Sequence, residues 1–385
     1  MKTILYYAGK IVHPFFREQY SNHPDGINPV YDFDRKSDSL RPDFRKIHAV
    51  RKPLEQLNRA LRTFIPRLNW HRINHDNPKI LVHSAQRLIT PPYSYVVDFE
   101  QIGAFGFHDE KILTNKRYRT RLIQAFRDPR LKAILPWTEM ARSSLVHWLD
   151  NDSSLSEITR KMWVLYPAIS PRTKTIKKKS DSLHLLFVGS PFLHKGGYET
   201  IEAFKQLKSQ WPNCQLTIVT KCEIDPLFLG EPGLNVFSRV SSERLREIFQ
   251  NADLMIMPQH LDTLGFVMME AFSWGLPVVT TRNFSTPEII SDQQNGIIVD
   301  NPESFWDEHG LQRFRWWQDT TFERKLKGLA QDEKYIQSIS DAILMVAKKI
   351  EFYSQNALQS VTSGPLSFEQ RNKKLAEIYE GLTLS

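Results

Sequence analysis

Short apolar runs alternate along most of the chain with segments whose apolar positions recur every three or four residues. Runs of the first kind, bounded by turn-forming residues, read as buried strands, and the second kind reads as helices with one apolar face. In the first half, Ile4–Tyr7, Ile80–His83 and Tyr95–Val97 read as strands, with Ala133–Pro136 as a fourth. Helical pattern covers Pro53–Phe64, Asn115–Arg127 and Thr138–Leu149. In the second half, strands are expected at His184–Val188, Leu216–Val219, Leu234–Phe237, Leu254–Met257 and Val278–Thr280. Helices are expected there at Tyr198–Ser209, Glu243–Asn251 and Phe266–Trp274, followed by a helical tail at Ser338–Phe352 and Ser367–Gly381. Alternation of this kind implies parallel sheets covered on both faces, so the fold class is α/β. In such sheets ligands sit beyond the carboxyl ends of the strands, and the chemistry is to be sought in the loops that follow them.

Two polar stretches interrupt the pattern. Residues 18 to 45, rich in Asp, Asn, Pro and Ser, read as a long loop or flap near the first strand. The stretch SPRTKTIKKKSDS at 170–182 reads as a linker, or as an anion patch at Lys177 to Lys179. The predicted division is a first domain over residues 1–175, a second over 176–365, and a C-terminal helix over 366–385 that packs back on the first domain.

Composition is that of an ordinary globular protein, with 41% hydrophobic and 24% charged residues, which excludes disorder, collagen and coiled coil. The two cysteines, Cys214 and Cys222, form no CxxC pair and sit in no metal spacing, so a disulfide-stapled secreted domain is not expected and a reducing cytoplasm is. The apolar run Ile4–Ala8 is too short for a signal-peptide core, and no run reaches the length of a membrane span. Charge is uneven: the first 180 residues hold 32 Lys and Arg against 17 Asp and Glu, and the remainder holds 19 against 26. A basic half is either solvation or the mark of an anionic partner, such as a membrane surface, a phosphorylated lipid or a nucleic acid. The stretch from Ser304 to Lys327 mixes Trp306, Phe314, Trp316 and Trp317 with Arg313 and Arg315. It suits a membrane interface, a packed surface helix or an oligomer contact.

The most informative segment is NADLMIMPQHLDTLGFVMMEAFSWGLPVVTT. A buried strand ends at Pro258. A loop with Asp262, Thr263, Leu264 and Gly265 follows, and a helix opens at Phe266 and closes before Gly275 and Pro277. The opening turn of that helix offers amides to an anion. Glu270, four residues past Phe266, lies on the same face one turn deeper. With a diphosphate on the amides, Glu270 would accept from a ribose and Asp262 from the sugar. A second segment, LLFVGSPFLHKGGYETIEAF, runs from a strand through Gly189, Ser190 and a short loop to Lys195 and Gly196 at the start of a helix, a phosphate-cradling arrangement.

Together these residues resemble family 4 glycosyltransferases, retaining enzymes of the GT-B fold. The family's acid, seven residues, glutamate, then G-x-P-V is matched by Asp262, Glu270, Ala271, Gly275, Pro277 and Val278. The family's first acid is usually glutamate, and here it is aspartate. The later Glu288, Asn295, Gly296 and Val299 also fit. The family's G-R-x4-K-G loop is matched at Gly189, Lys195 and Gly196, with Ser190 in place of the arginine, which leaves one cation for the diphosphate. The resemblance covers residues 183 to 300 and is diffuse before them. It implies two doubly wound Rossmann-like domains facing a cleft, with C-terminal helices. The implied function is retaining transfer of a hexose from a nucleotide sugar, bound in the second half, to a glycan or lipid-linked acceptor held by the first. The implied catalytic residues are Asp262, Glu270, Lys195 and Asp98. Substrate binding falls to Gly9, Gly189, Ser190, Lys195, Gly196, Asp262, Thr263, Leu264, Gly265, Phe266 and Glu270. No metal or other cofactor is expected, since the DFE at Asp98–Glu100 and the DFD at Asp32–Asp34 only mimic a metal-binding D-x-D. Polysaccharide assembly, with peripheral contact to an anionic membrane through the basic half, is the pathway expected by analogy.

In the first half Gly9 is placed to let a phosphate approach, or simply to turn the chain. Asp98 ends its strand where the family often has a histidine near the transferred sugar. His108, Lys111 and Arg142 are candidates for an anionic acceptor, and His13 and His83 read as ordinary histidines. Rival functions are a nucleotide-sugar epimerase on the same fold, or a non-catalytic binder of nucleotide sugar or nucleic acid. Because no aromatic–basic recognition motif accompanies the charge, nucleic acid is not expected.

Overall fold

The computed structural model describes residues 2–8, 14–32, 68–106, 108, 113–314 and 319–382. The helix expected at Pro53–Phe64, and Gly9, His13, Asp34, Lys111, Arg315, Trp316 and Trp317, lie outside the described residues. The chain divides into two compact units, Met1–Leu165 with Asn372–Ser385, and Tyr166–Arg371.

The first unit is built on a five-stranded sheet in the order β2-β1-β4-β6-β7. Its strands are β1 (Lys2–Tyr7), β2 (Ile27–Tyr31), β4 (Leu81–Ala85), β6 (Tyr95–Phe99) and β7 (Leu131–Pro136). All pair in parallel, and a short parallel pair, β3 (Trp70–His71) with β5 (Leu88–Ile89), lies beside it. Runs such as LVHSA and YVVDF are buried at every position, as a sheet covered on both faces requires. The polar stretch from residue 18 is not a loop throughout. The helix Pro14–Ser21 reaches into it, and the strand β2, INPVY, pairs with β1 in register Lys2↔Ile27. Half-exposed and carrying a proline, β2 is an edge strand, which is where proline is tolerated. The last turns of the helix Phe368–Gly381 belong to this unit: Leu375, Ile378 and Tyr379 are buried with Ile4, Tyr6, Leu81 and Val96.

The second unit is a six-stranded parallel sheet in the order β10-β9-β8-β11-β12-β13. Its strands are β8 (Leu183–Val188), β9 (Cys214–Val219), β10 (Leu234–Phe237), β11 (Leu254–Met257), β12 (Val278–Thr281) and β13 (Gly296–Val299). The chain winds outward from β8 to one edge and then returns to β11 and the other edge. The order therefore reverses between β8 and β11, and their following loops part at that point. The 170–182 segment is packed on this unit and is not a free linker. Arg172 N donates to Ser273 O at 2.7 Å, Lys177 N to Ser354 Oγ at 2.8 Å, and Lys177 Nζ to Gln250 O at 2.6 Å.

The described aromatics of the 304–327 stretch face inward. Phe305, Trp306 and Phe322 are buried and belong to the core, and the half-buried Phe314 lies 4.6 Å from Phe322 with its ring tilted. Among the described residues no helix is long and apolar enough to cross a membrane.

Candidate active site

The loops after β8 and β11 meet at the reversal of the second sheet. After β8 the chain makes a short 3-10 turn at Leu193–Lys195, and Gly196, at φ +74°, opens the helix Gly197–Lys208. After β11 the loop ends at Gly265, also at φ +74°, which opens the helix Phe266–Ser273. Gly196 is a glycine for two reasons, its left-handed backbone and a carbonyl. A Cβ built there would stand 2.2 Å from Pro258 O, so the two loops touch backbone to backbone. The His194 carbonyl accepts from the His260 amide at 2.9 Å and from the Leu261 amide at 3.3 Å, closing the seam.

Two of the predicted residues pair across this seam. Lys195 Nζ donates to Asp262 Oδ2 at 2.5 Å and to Leu261 O at 2.9 Å. Both side chains are mostly buried, 14% and 20% exposed, which strengthens the attraction over that of a surface pair. The other oxygen, Asp262 Oδ1, accepts from the amides of Thr263 at 2.8 Å and Gly265 at 3.3 Å. The loop is held from outside as well. Trp306 Nε1 donates to Asp262 O at 2.8 Å, Asn283 Nδ2 does so at 3.4 Å, and Ser285 Oγ donates to Thr263 O. Leu264 is buried, and Phe266 and Glu270 are partly exposed on the helix that follows. Glu288 accepts from Tyr166 Oη at 2.7 Å.

Behind the seam lies a pair that sequence reasoning passed over. His260 and Glu199 are both fully buried, with Nε2 3.2 Å from Oε1. The other imidazole nitrogen, Nδ1, meets Asn301 Oδ1 at 2.9 Å. Burial, and after it the nearby Glu199 and Asp332 charges, raises the Tyr335 hydroxyl well above its ordinary value. His260 thus ties the β11 loop to the first turn of the Gly197–Lys208 helix. Neither residue carries a motif; only the fold brings positions 199 and 260 together.

Ser190 does not take the place of a charged group. Its hydroxyl lies 3.1 Å from Thr220 Oγ1 and accepts from the Lys221 amide at 2.9 Å, joining the loops after β8 and β9. Among the described residues no group of three or more His, Cys, Asp or Glu is placed to hold a metal ion. Burial, above all other causes, pushes the Cys214 thiol up to about 12, and both cysteines are free.

In the first unit the structure turns Asp98 inward. Only 6% exposed, it meets His83 Nε2 at 3.2 Å and accepts from Tyr20 Oη at 3.3 Å. His83 is fully buried, and its Nδ1 lies 2.5 Å from Tyr379 Oη, so this histidine is the centre of an Asp–His–Tyr chain and not an isolated ring. His108 meets Gln101 at 2.7 Å and Arg142 pairs with Glu139 at 3.3 Å. A cluster that the sequence did not mark lies instead where this sheet reverses, between β1 and β4. Tyr7 Oη lies 2.7 Å from His71 Nδ1, and His71 Nε2 lies 3.1 Å from Asn69 Oδ1. Asn69 Nδ2 donates to Gln86 O at 3.2 Å, and Gln86 takes a left-handed φ of +56° just before Arg87. Burial, and then the Arg87 charge, lowers the His71 imidazole to about 4, so it is neutral near pH 7.

Comparison with known proteins gives the same outline. Residues 171–308 match the family model described as "Glycosyl transferases group 1". Among curated proteins the chain is similar to the lipopolysaccharide glucosyltransferase WaaG of Escherichia coli, 32% identical over 34% of this chain and 37% of that one. It is also similar to the sulfoquinovosyl transferase SQD2 of Arabidopsis thaliana, 31% identical over 26% and 20%. The matches thus span between a fifth and two fifths of those relatives' length. Among solved structures, that of WaaG, a glycosyltransferase involved in lipopolysaccharide biosynthesis, aligns over 99% of this chain and 100% of that one with TM-score 0.54 at 17% identity. Sucrose-phosphate synthase from Thermosynechococcus elongatus aligns over 99% and 98% with TM-score 0.58 at 11% identity. These likenesses extend over both units and give the fold as GT-B.

Proposed function

For a chain of GT-B fold whose residues 171–308 belong to the group 1 glycosyltransferase family, we propose retaining transfer of a hexose from a nucleotide sugar to a glycan or lipid-linked acceptor. The observation that carries this is the meeting of Lys195 with Asp262 at the reversal of the second sheet, where doubly wound sheets take their ligands. In this reading Lys195 and the opening amides of the Phe266–Ser273 helix take the donor diphosphate. Charge grows on that group as the sugar leaves it, and fixed donors stabilise it without reorganisation. Asp262 and Glu270 accept from hydroxyls of the sugar and ribose. The acceptor hydroxyl attacks from the face the diphosphate leaves, and no side chain is assigned as a nucleophile. The acceptor falls to the first unit, where the Tyr7–His71–Arg87 cluster offers a neutral imidazole and a guanidinium. The names of WaaG and of the Staphylococcus aureus capsular polysaccharide glycosyltransferase CapM support an acceptor in polysaccharide assembly.

Incubation with UDP-, GDP- and ADP-sugars, with released nucleotide as the readout, tests the assignment. Slow release from one donor is expected. Glu270→Ala should cut it about tenfold or more, since one acceptor of a charge-sharing hydrogen bond is lost. If the protein neither binds nor cleaves any nucleotide sugar, the donor site is refuted.

A further inference from the structure

Strands β8 and β9 lie side by side, and the loops beyond them are sewn together. Gly189 N donates to Val219 O at 3.1 Å, and the Phe192 amide donates to Cys222 Sγ at 3.4 Å. Between these, Ser190 Oγ accepts from the Lys221 amide at 2.9 Å and lies 3.1 Å from Thr220 Oγ1. The backbone of Lys221 is therefore fixed on the carboxyl edge of the sheet, beside the loop that carries Lys195. Its side chain is exposed, and among the described residues no carboxylate or carbonyl holds its ammonium.

Charge balance gives that ammonium a use. Asp262 matches Lys195 at 2.5 Å, so the pair brings almost no net charge to the reversal of the sheet. The diphosphate of a nucleotide sugar carries a negative charge on each phosphate, and a neutral pair would leave most of it unbalanced. Among the described residues, two other cations follow strands of this sheet. Arg282, after β12, stands 3.8 Å from Asp300, and Arg239 follows β10, the outermost strand. Lys221 follows β9, next to β8, on a flexible four-carbon stem that delivers a point charge to whichever phosphate oxygen is nearest.

We propose that Lys221 is a second cation for the donor diphosphate, reaching it from the β9 loop while Lys195 reaches it from the β8 loop. This rests on the donor-site reading above. Ser190 has a part in it as the clamp that places Lys221.

Titration of the full chain with UDP, GDP and ADP, and with uridine, guanosine and adenosine, tests the role. The nucleoside diphosphate that binds the wild type should bind Lys221→Ala about tenfold more weakly, the cost of one charge-assisted contact. Lys221→Arg should recover most of that affinity, and the matching nucleoside should bind all three alike. Equal diphosphate affinity in wild type and Lys221→Ala would overturn the role of Lys221 and leave the donor site standing. Equal losses for diphosphate and nucleoside would also overturn it, because they mark a disturbed loop. If the wild type binds none of the three diphosphates, the donor site is refuted and the role of Lys221 with it.

Discussion

At 2.5 Å the Lys195 ammonium and the Asp262 carboxylate satisfy each other. The two jobs assigned to these residues, holding diphosphate and holding sugar, therefore compete with their pairing to each other. Replacing Asp262 with Asn keeps the oxygen that caps Thr263 and Gly265 but removes the charge that matches Lys195. Nucleoside diphosphate should then bind severalfold more tightly, because the freed ammonium is offered whole to the anion, by about 1 kcal/mol. Transfer should fall about tenfold or more, since the amide is a poorer acceptor for a sugar hydroxyl than a carboxylate. Titration and initial rates on the same preparation check both signs. Weaker diphosphate binding by Asp262→Asn would show that the acid does not hold the lysine back. At this scale the sequence was a partial guide. Asp262, Glu270 and Lys195 announce themselves by spacing and context, whereas His83, His71 and His260 stand alone in the chain. Their partners, Asp98 and Tyr379, Tyr7, and Glu199, lie between 15 and 296 residues away along the chain.

Elements show the same division between what is local and what is not. Leu234–Phe237 and Leu254–Met257 are strands over the residues their apolar runs imply, and Asn115 caps the helix Lys116–Arg127 with its side chain, as a start signal should. The strand β2 escaped because an edge strand with a proline lacks the pattern of a buried one. The helix read as Ser338–Phe352 is two, Glu333–Lys348 and Ile350–Thr362. They part at Lys349, at φ −128° and ψ 36°, where neither glycine nor proline marks a break. Loop glycines were legible as glycines but not in their reason, which for Gly196 is the Pro258 carbonyl. A comparison separates clash from backbone strain. Gly230, at φ +97°, has nothing within 4 Å of a built Cβ, so Gly230→Ala should cost only about 1 kcal/mol of conformational preference. Gly196→Ala adds the carbonyl at 2.2 Å and should cost about 3 kcal/mol or more, because the β8 and β11 loops must part. Denaturant unfolding of the two variants measures this, and equal losses would mean that the loops do not bear on each other at that point.

Across the whole molecule, the two units draw on the chain unevenly. Counted by unit, the first holds 29 Lys and Arg against 19 Asp and Glu, and the second holds 22 against 24. The asymmetry read from a division at residue 180 is softer than it looked, because the basic 170–182 segment is packed on the second unit. The first unit is also not closed by its own contiguous stretch. It ends at Leu165 and resumes at Asn372, so residues far along the chain complete its core. Leu375, Ile378 and Tyr379 fill the core over β1 and β4, with Tyr379 Oη on His83 and Tyr379 O accepting from Lys2 Nζ at 2.5 Å. Removing residues 372–385 strips three buried apolar side chains and leaves the His83 imidazole without its hydroxyl partner. At about 1.5 to 3 kcal/mol per buried side chain, the first unit should lose about 5 kcal/mol or more. Stabilities of single domains are of that order, so the first sheet should open in a large share of molecules. Hydrogen exchange localises the effect. Amides of β1 and β4 should lose most of their protection in the truncated chain, while those of β8 and β11, which belong to the other unit, keep theirs. Unchanged protection in β1 and β4 would mean that the first sheet is stable without the helix. Loss in β8 and β11 as well would mean that the two units unfold as one.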